Sequence, residues 1–128
     1  MGKPLGVALG ALALALSFQS GASAAQDAIS PKEAATWLKE KKDVQVIDVR
    51  SAAEYAEGHL AQAKLIPLPD LEDRLAEIDK RKPILLYCRS GGRSGSALKT
   101  LHDMGYTQAK HIEGGLSAWQ AAGLPVTK

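Results

Sequence analysis

A single cysteine, Cys88, opens a segment whose composition favours a reactive thiolate: Cys88-Arg89-Ser90-Gly91-Gly92-Arg93. The segment follows an apolar run, Ile84-Leu85-Leu86-Tyr87, and precedes a helical pattern from Ser94 to Met104. It is therefore expected between a strand and a helix N-terminus, where unpaired N–H groups and the helix dipole favour negative charge. Two glycines let N–H groups converge and two arginines add charge, so we expect a lowered pKa for Cys88.

The alternative for a lone cysteine is a small buried hydrophobic residue. The arginines and glycines that follow Cys88 argue against an apolar surrounding. Because there is no second cysteine, no disulfide forms within the chain, and a sulfur–sulfur bond made at Cys88 must be resolved by an external nucleophile.

Residues 1–24 have the pattern of a cleaved secretory signal peptide. Lys3 and the amino terminus supply positive charge, Leu5–Leu16 is apolar and uncharged, and Ala22-Ser23-Ala24 fits a signal-peptidase site. An apolar run of 12 residues is too short to span a bilayer, so no stable membrane anchor is expected. We expect export, to the periplasm in a Gram-negative cell, and a single mature domain at residues 25–128.

Charge and ligand spacing exclude several classes of function. Residues 1–24 hold one of the 16 Lys and Arg and none of the 14 Asp and Glu, so the mature chain carries 15 basic against 14 acidic residues. A nucleic-acid-binding protein needs a more basic surface. His102 and His111 have no cysteine or carboxylate at ligand spacing, so we expect neither a metal nor a cofactor. One small domain makes a monomer the default.

Strands and helices alternate along the mature chain. Strands are predicted at 44–49, 64–67, 84–87 and 109–112; helices are predicted at 31–41, 52–55, 69–78 and 94–104, with a last helix after Gly115 that ends near Gly123. Ser30 and Ser51 fit N-caps. The alternation indicates an α/β fold, a central parallel sheet flanked by helices on both faces.

Ligands of such sheets bind beyond the C-terminal ends of the strands. Three clusters fall there: Asp48-Val49-Arg50, the Cys88 segment, and Glu113-Gly114-Gly115. The two glycines either let a backbone pass close to the Cys88 loop or only begin a helix.

Four segments, in this order, resemble the rhodanese family of sulfurtransferases in its small, single-domain, exported form. They are Val46-Ile47-Asp48-Val49-Arg50, then Glu54-Tyr55 with Gly58-His59-Leu60, then Tyr87 to Ser94, then Glu113-Gly114-Gly115 with Trp119. The resemblance covers Ile29 to Val126, with one departure, Ala61-Gln62, where family members often have Pro-Gly.

The resemblance implies a thiosulfate sulfurtransferase with Cys88 as the catalytic nucleophile. Cys88 would attack the outer sulfur of an anionic donor such as thiosulfate, carry it as a persulfide, and pass it to cyanide or a thiol, including a protein thiol. Substrate binding is expected from the loop, Arg89, Ser90, Gly91, Gly92 and Arg93, whose N–H groups act as an oxyanion hole does.

Side-chain roles around the loop are predicted as follows. Arg89 is expected to orient the anionic end of the donor, and Arg93 to brace the loop through a carboxylate such as Asp48. Asp48 either supports the loop in this way or caps the turn at Ser51. Arg50 either adds charge at the mouth of the site or, the slightly favoured alternative, is a solvated loop residue.

Other functions remain open at this point. A persulfide carrier that is loaded by a partner protein would need the same loop. A degenerate binding domain is disfavoured by the intact Cys88, Arg89 and Arg93. Related phosphate- or arsenate-binding loops have five residues between cysteine and arginine, whereas four separate Cys88 from Arg93. His59 is expected to bind backbone in a turn rather than to catalyse, and Trp37 and Trp119 are expected in the core.

Overall fold

One parallel sheet organises the protein. The computed structural model describes residues 27–128, and the predicted signal peptide lies outside them. Within this range the strands are β1 (Ala28–Ile29), β2 (Gln45–Asp48), β3 (Lys64–Leu65), β4 (Ile84–Tyr87) and β5 (Ala109–Ile112), in the sheet order β1-β5-β4-β2-β3. The helices are α1 (Pro31–Glu40), α2 (Ala52–Glu57), α3 (Gly92–Asp103) and α4 (Gly115–Ala121). The predicted α/β fold with its parallel sheet is confirmed.

The central strand β4 is buried on both faces. Ile84 and Leu86 pack in a cluster with α3, and Leu85 and Tyr87 pack in a second cluster with α1 and α4. Side chains alternate between the two faces of a strand, so each face of β4 contributes to its own core. A continuous apolar run of this kind predicts a strand of a parallel sheet, and its bounds were predicted correctly from the sequence.

Capping boxes fix the starts of α1 and α2. Ser30 Oγ accepts from the N–H of Glu33 at 3.1 Å, and the Glu33 carboxylate accepts in return from the N–H of Ser30. Ser51 and Glu54 make the same reciprocal pair at 3.2 Å. Both predicted N-caps are confirmed. The second box also fixes Glu54 in the first turn of α2, beside the Cys88 loop.

The predicted helix over 69–78 is wrong. The chain there forms two 3₁₀ helices, Leu68–Asp70 and Glu72–Glu77, with non-helical angles at Arg74 (φ −116°, ψ 18°). Leu68 precedes Leu71 by three residues, and Leu75 precedes Ile78 by three, which is the repeat of a 3₁₀ helix. Leu71 and Ile78 are buried against the sheet, so packing fixes the tighter form.

Three further details differ from the sequence-based expectation. Strand β1 was not predicted, because two residues carry no periodicity and become a strand only by pairing with β5. Helix α3 begins at Gly92 rather than at Ser94. Trp37 is only partly buried, whereas Trp119 lies in the core as predicted. Among residues 27–128, no helix has the length and apolar character needed to cross a lipid bilayer.

A buried ion pair lies at the C-terminal end of β2. Asp48 is fully buried and Arg50 is 3% exposed. Arg50 Nε and Nη2 donate to Asp48 at 2.9 Å and 2.8 Å, and Nη2 also donates to the carbonyl of Gly58 at 2.7 Å. Burial lowers the pKa of Arg50, but the hydrogen bonds and charge of Asp48 outweigh burial, so the guanidinium stays charged. The expectation of a solvated Arg50 is wrong, because this pair joins β2 to the end of α2.

We predict that Asp48→Asn destabilises the fold by about 3 kcal/mol, because it leaves the Arg50 charge buried without a counter-charge. The measurement is urea unfolding, with the m-value checked for constancy. Asp79→Asn is the matched control, since Asp79 pairs with Arg81, which is 88% exposed, and surface pairs contribute little. Equal losses in the two variants would contradict a structural role for the buried pair.

Candidate active site

Hydrogen-bond donors converge on Cys88 directly after β4. The side chain is 1% exposed. Its Sγ lies 3.1 Å from the nitrogen of Gly91, 3.4 Å from the nitrogen of Ser94 and 3.5 Å from Ser94 Oγ. Burial raises the pKa of the Cys88 thiol, but hydrogen bonds from the Ser94 hydroxyl and from the N–H groups of Ser94, Gly91 and Ser90 outweigh burial, and the pKa is lowered overall. The site therefore favours a thiolate.

Local backbone geometry supplies these donors. Gly91 has φ +112°, a left-handed conformation that glycine adopts without a steric penalty, and it immediately precedes α3. The first N–H groups of a helix have no carbonyl partner within the helix. Ser94 occupies the first turn of α3, so its N–H is available to Sγ. The left-handed Gly91 directly before α3 is thus the local cause of the donor arrangement.

The start of α4 holds the other side of the loop. The N–H of Leu116 donates to the carbonyl of Cys88 at 2.8 Å, and the N–H of Ser117 donates to the carbonyl of Arg89 at 3.1 Å. Gly115 has φ +61°, and a Cβ placed there would lie 2.5 Å from the carbonyl oxygens of Cys88 and Arg89. Of the two alternatives for Gly114-Gly115, the structure shows the close backbone approach, at the position where α4 begins.

One carboxylate engages both loop arginines. Arg93 donates to Glu54 Oε1 and Oε2 at 2.8 Å and 3.0 Å, and Arg89 Nε lies 3.5 Å from Oε2. The hydrogen bonds from Arg93 hold the pKa of Glu54 far below its usual value, against the opposing effect of burial. Arg93 braces the loop through a carboxylate as predicted, but that carboxylate is Glu54 and not Asp48, because Arg50 already occupies Asp48. Arg93 instead ties the start of α3 to α2.

A polar cavity of about 160 Å³ lies beside the loop. Arg89, whose side chain is 58% exposed, forms part of both the loop and the cavity wall. The lining residues are Arg50, Glu54, Glu57, Gly58, Arg89, Leu116, Ser117 and Gln120. The cavity has the size for a small anion and carries charges of both signs.

Ser94 links Cys88 to strand β5. Its side chain is fully buried, and Oγ lies 2.8 Å from Nδ1 of His111 and 3.3 Å from the carbonyl oxygen of Gly91. Burial lowers the pKa of His111, while the charges of Glu113 and Asp27 oppose this shift, so the ring is neutral near pH 7.

Sequence reasoning missed Glu54, Ser94 and His111 as parts of this site. Glu54 was visible only as a residue of a family-like segment, and its partner Arg93 is 39 residues away. His111 gave no usable signal, because its place beside Cys88 depends on the strand register. It pairs with Leu86 across the sheet, and Cys88 follows Leu86 by two residues, so both side chains lie on the face that α3 covers.

The remaining site predictions are placed as follows. Ser90 contributes its N–H to Cys88, and Gly92 begins α3. His59 has its Nδ1 2.8 Å from the carbonyl oxygen of Tyr55, so the predicted bond to backbone is confirmed, although His59 lies in an antiparallel bridge with Thr127 rather than in a turn. Among residues 27–128, no group of three or more His, Cys, Asp or Glu is placed to hold a metal ion.

Comparisons with known proteins agree on one family. The sequence-family model for the rhodanese-like domain matches residues 30–122 of this chain. A relative named sulfurtransferase from Allochromatium vinosum is 37% identical over 89 residues, which cover 70% of this chain and 83% of that protein. Thiosulfate sulfurtransferase GlpE from Coxiella burnetii is 33% identical over 84 residues, which cover 66% of this chain and 78% of that protein.

Solved structures show the same fold. A rhodanese-like domain protein from Staphylococcus aureus superposes with a TM-score of 0.68 at 33% identity, covering 80% of this chain and 99% of that one. Some relatives are longer, and the match covers only 24% of one from Mycobacterium tuberculosis.

We predict that Gly115→Ala disrupts the Cys88 loop, because the added Cβ would overlap backbone atoms of Cys88 and Arg89, which cannot rotate away as a side chain can. Gly123→Ala is the matched control, because Gly123 also has positive φ (+80°) but has nothing within 4 Å of the added Cβ. We expect the control to lose about 1 kcal/mol from the left-handed conformation alone. Gly115→Ala should lose about 2 kcal/mol more from overpacking. Urea unfolding measures the stability of both variants. Equal losses of stability would contradict the close approach of Gly115 to the Cys88 loop.

Proposed function

This chain belongs to the rhodanese-like domain family, and we propose that it is a thiosulfate sulfurtransferase that works through a persulfide on Cys88. The sequence resemblance to the family is confirmed, and sulfurtransferase relatives support sulfur transfer as its general activity. One observation carries the finer proposal: the Cys88 Sγ is buried among hydrogen-bond donors that lower the pKa of its thiol. Such a thiolate is a nucleophile near neutral pH.

In the first half-reaction the Cys88 thiolate attacks the outer sulfur of thiosulfate. A bond forms between Sγ and the outer sulfur, and the bond between the two sulfurs of thiosulfate breaks. Sulfite leaves with the electron pair, and Cys88 carries a persulfide anion. The N–H groups of Gly91 and Ser94 already point at Sγ, so they stabilise the attacking thiolate without reorganisation.

In the second half-reaction a nucleophilic acceptor takes the terminal sulfur. Cyanide or a thiolate attacks it, the Cys88 sulfur–sulfur bond breaks, and the Cys88 thiolate is restored with its electron pair. The acceptor must come from outside the chain, because Cys88 is its only cysteine. Export to the periplasm, which the sequence predicts, would set the acceptors that the protein meets.

The placement of Arg93 supports sulfur chemistry over phosphoryl chemistry. Both terminal nitrogens of Arg93 donate to Glu54. A phosphate-binding loop instead directs its arginine at the phosphate oxygens in a bidentate pair. The Cys88 loop therefore relies on N–H groups to bind its substrate. It is also one residue shorter than a phosphate-binding loop, which suits a persulfide better than a tetrahedral phosphate.

We predict that the protein gains the mass of one sulfur atom on incubation with thiosulfate and loses it on addition of cyanide. Intact-mass spectrometry measures both changes. Cys88→Ser should show neither change, since serine forms no persulfide, while it keeps the native circular dichroism spectrum. A sulfur gain in Cys88→Ser would contradict Cys88 as the carrier of the sulfur. No gain from thiosulfate would reject this donor and move the proposal to a partner-loaded carrier.

We also predict that Glu54→Gln lowers the KM for thiosulfate by about fivefold at low salt, because the variant removes a negative charge from beside a dianion and releases the loop arginines. The effect should shrink as salt screens the charges. Glu77→Gln is the matched control, since Glu77 also pairs with two basic residues, Arg74 and Lys64, away from the loop. An unchanged KM in Glu54→Gln would show that the donor does not compete for these arginines.

A further inference from the structure

Three polar groups surround the hydroxyl of Ser94, which has a single proton. Cys88 Sγ lies at 3.5 Å, the carbonyl oxygen of Gly91 at 3.3 Å, and His111 Nδ1 at 2.8 Å, the shortest of the three. Ser94 is fully buried, so solvent does not compete for this hydroxyl. The direction of each hydrogen bond is therefore set by these neighbours.

Because the Ser94 hydroxyl has one proton, the protonation of His111 Nδ1 decides whether Ser94 can donate a hydrogen bond to a Cys88 thiolate. A hydroxyl donates one hydrogen bond and accepts up to two. If Nδ1 is unprotonated, Ser94 donates to it at the shortest distance, and its oxygen then accepts from the Cys88 S–H. If Nδ1 carries the proton, it donates to Ser94 Oγ, and two acceptors compete for the hydroxyl proton: the Gly91 carbonyl at 3.3 Å and Cys88 Sγ at 3.5 Å. The full charge of a Cys88 thiolate favours the sulfur, because hydrogen bonds to charged acceptors are the stronger ones. Only the second arrangement stabilises the nucleophile.

We propose that His111 is a positioning residue for Cys88: its Nδ1–H donates to Ser94 Oγ and so directs the Ser94 hydroxyl to the thiolate. The inference deepens the proposed function, since it takes the Cys88 thiolate as the nucleophile of that reaction. His111 does not touch the substrate in this role. It acts from β5 through Ser94 on α3.

The register between β4 and β5 fixes His111 and Cys88 on the same face of the sheet. His111 pairs with Leu86 between β5 and β4, and Cys88 follows two residues after Leu86, on the same face. Helix α3 covers that face and brings Ser94 between the two side chains. Gly95 also lies against the imidazole, since a Cβ placed at Gly95 would be 3.7 Å from His111 Cε1. The ring is thus held between a strand and a helix.

The charged groups that act on His111 come from two further elements. Asp27 lies in the turn before β1, and Glu113 follows β5; both raise the pKa of the ring, while burial lowers it by more. Asp27 is shared with Lys110 and His102, each with a nitrogen 3.6 Å from its carboxylate. At neutral pH the imidazole is therefore uncharged and carries one N–H, so its tautomer decides the direction of the Ser94 hydrogen bond.

Nitrogen NMR of the unaltered protein tests the tautomer directly. The chain has three histidines, and a His111 variant assigns the ring signals. We expect the proton on Nδ1 in the neutral form of His111 at the pH where Cys88 is a thiolate. A proton on Nε2 under those conditions would overturn the proposal, whatever any variant shows.

Variants test the effect on Cys88 itself, through the ultraviolet absorbance of the thiolate against pH. Since Cys88 is the only cysteine, the thiolate signal belongs to it alone. His111→Gln removes the donor near Nδ1 and should raise the titration midpoint by about one pH unit, as expected for a hydrogen bond to a charged group. His111→Asn places an amide nitrogen near the former Nδ1 and should keep the midpoint close to that of the unaltered protein.

Two controls separate positioning from general damage. His102→Gln changes a histidine that binds the carbonyl oxygen of Ala109 and should leave the midpoint unchanged. In a Ser94→Ala background, His111→Gln should cause no further shift, because the link to Cys88 is already lost. An unchanged midpoint in His111→Gln alone, or equal shifts with and without Ser94, would overturn the proposal.

The titration needs no sulfur donor. Failure of thiosulfate to load Cys88 would therefore reject the proposed function while leaving a shifted midpoint intact. Normal sulfur loading together with an unshifted midpoint in His111→Gln would reject only the positioning role.

Discussion

A thiolate buried at the end of a strand is stable only if hydrogen-bond donors replace the water it has lost, and this requirement shapes the surroundings of Cys88. The N–H groups of Gly91 and Ser94 meet the sulfur because the chain turns through a left-handed glycine straight into α3. The opposite side of the loop is fixed by N–H groups at the start of α4, which bind the carbonyls of Cys88 and Arg89. The N-terminus of α3 thus binds the Cys88 segment through its sulfur, and the N-terminus of α4 binds the same segment through its backbone carbonyls.

Full charges near the loop are largely paired with one another. Asp48 and Arg50 form a buried pair that joins β2 to the end of α2. Glu54 holds Arg93 in a bidentate pair and lies within 3.5 Å of Arg89. The hydrogen-bond donors fixed by the fold, rather than unpaired arginines, therefore stabilise the thiolate. On the proposed function, an anionic donor would compete with Glu54 for Arg89, so the carboxylate that braces the loop would also set how strongly the site attracts anions.

The sheet positions side chains that are far apart in the chain. Because β4 and β5 are adjacent and in register, His111 lies on the face of the sheet that carries Cys88, and α3 inserts Ser94 between them. The hydroxyl of Ser94 contacts both the sulfur and the imidazole. Sulfur transfer through Cys88 would begin and end with the thiolate, which a hydroxyl of fixed direction stabilises. In this way the fold, and not a neighbouring base in the sequence, prepares the nucleophile.

The sequence by itself determined the features that arise from neighbouring residues. The β4 strand, the caps at Ser30 and Ser51, the helix that follows the Cys88 loop and the donor-rich surroundings of Cys88 all depend on local periodicity and local hydrogen bonds. Only the tertiary structure decided which carboxylate Arg93 would bind, that Arg50 would be buried, that 69–78 would form 3₁₀ turns and that His111 would reach Ser94. Glu54 and Arg93 are 39 residues apart, Ser94 and His111 are 17 apart, and several basic and acidic residues offered chemically equivalent partners. Strand order and register select among such partners, because they fix distances that local sequence leaves free.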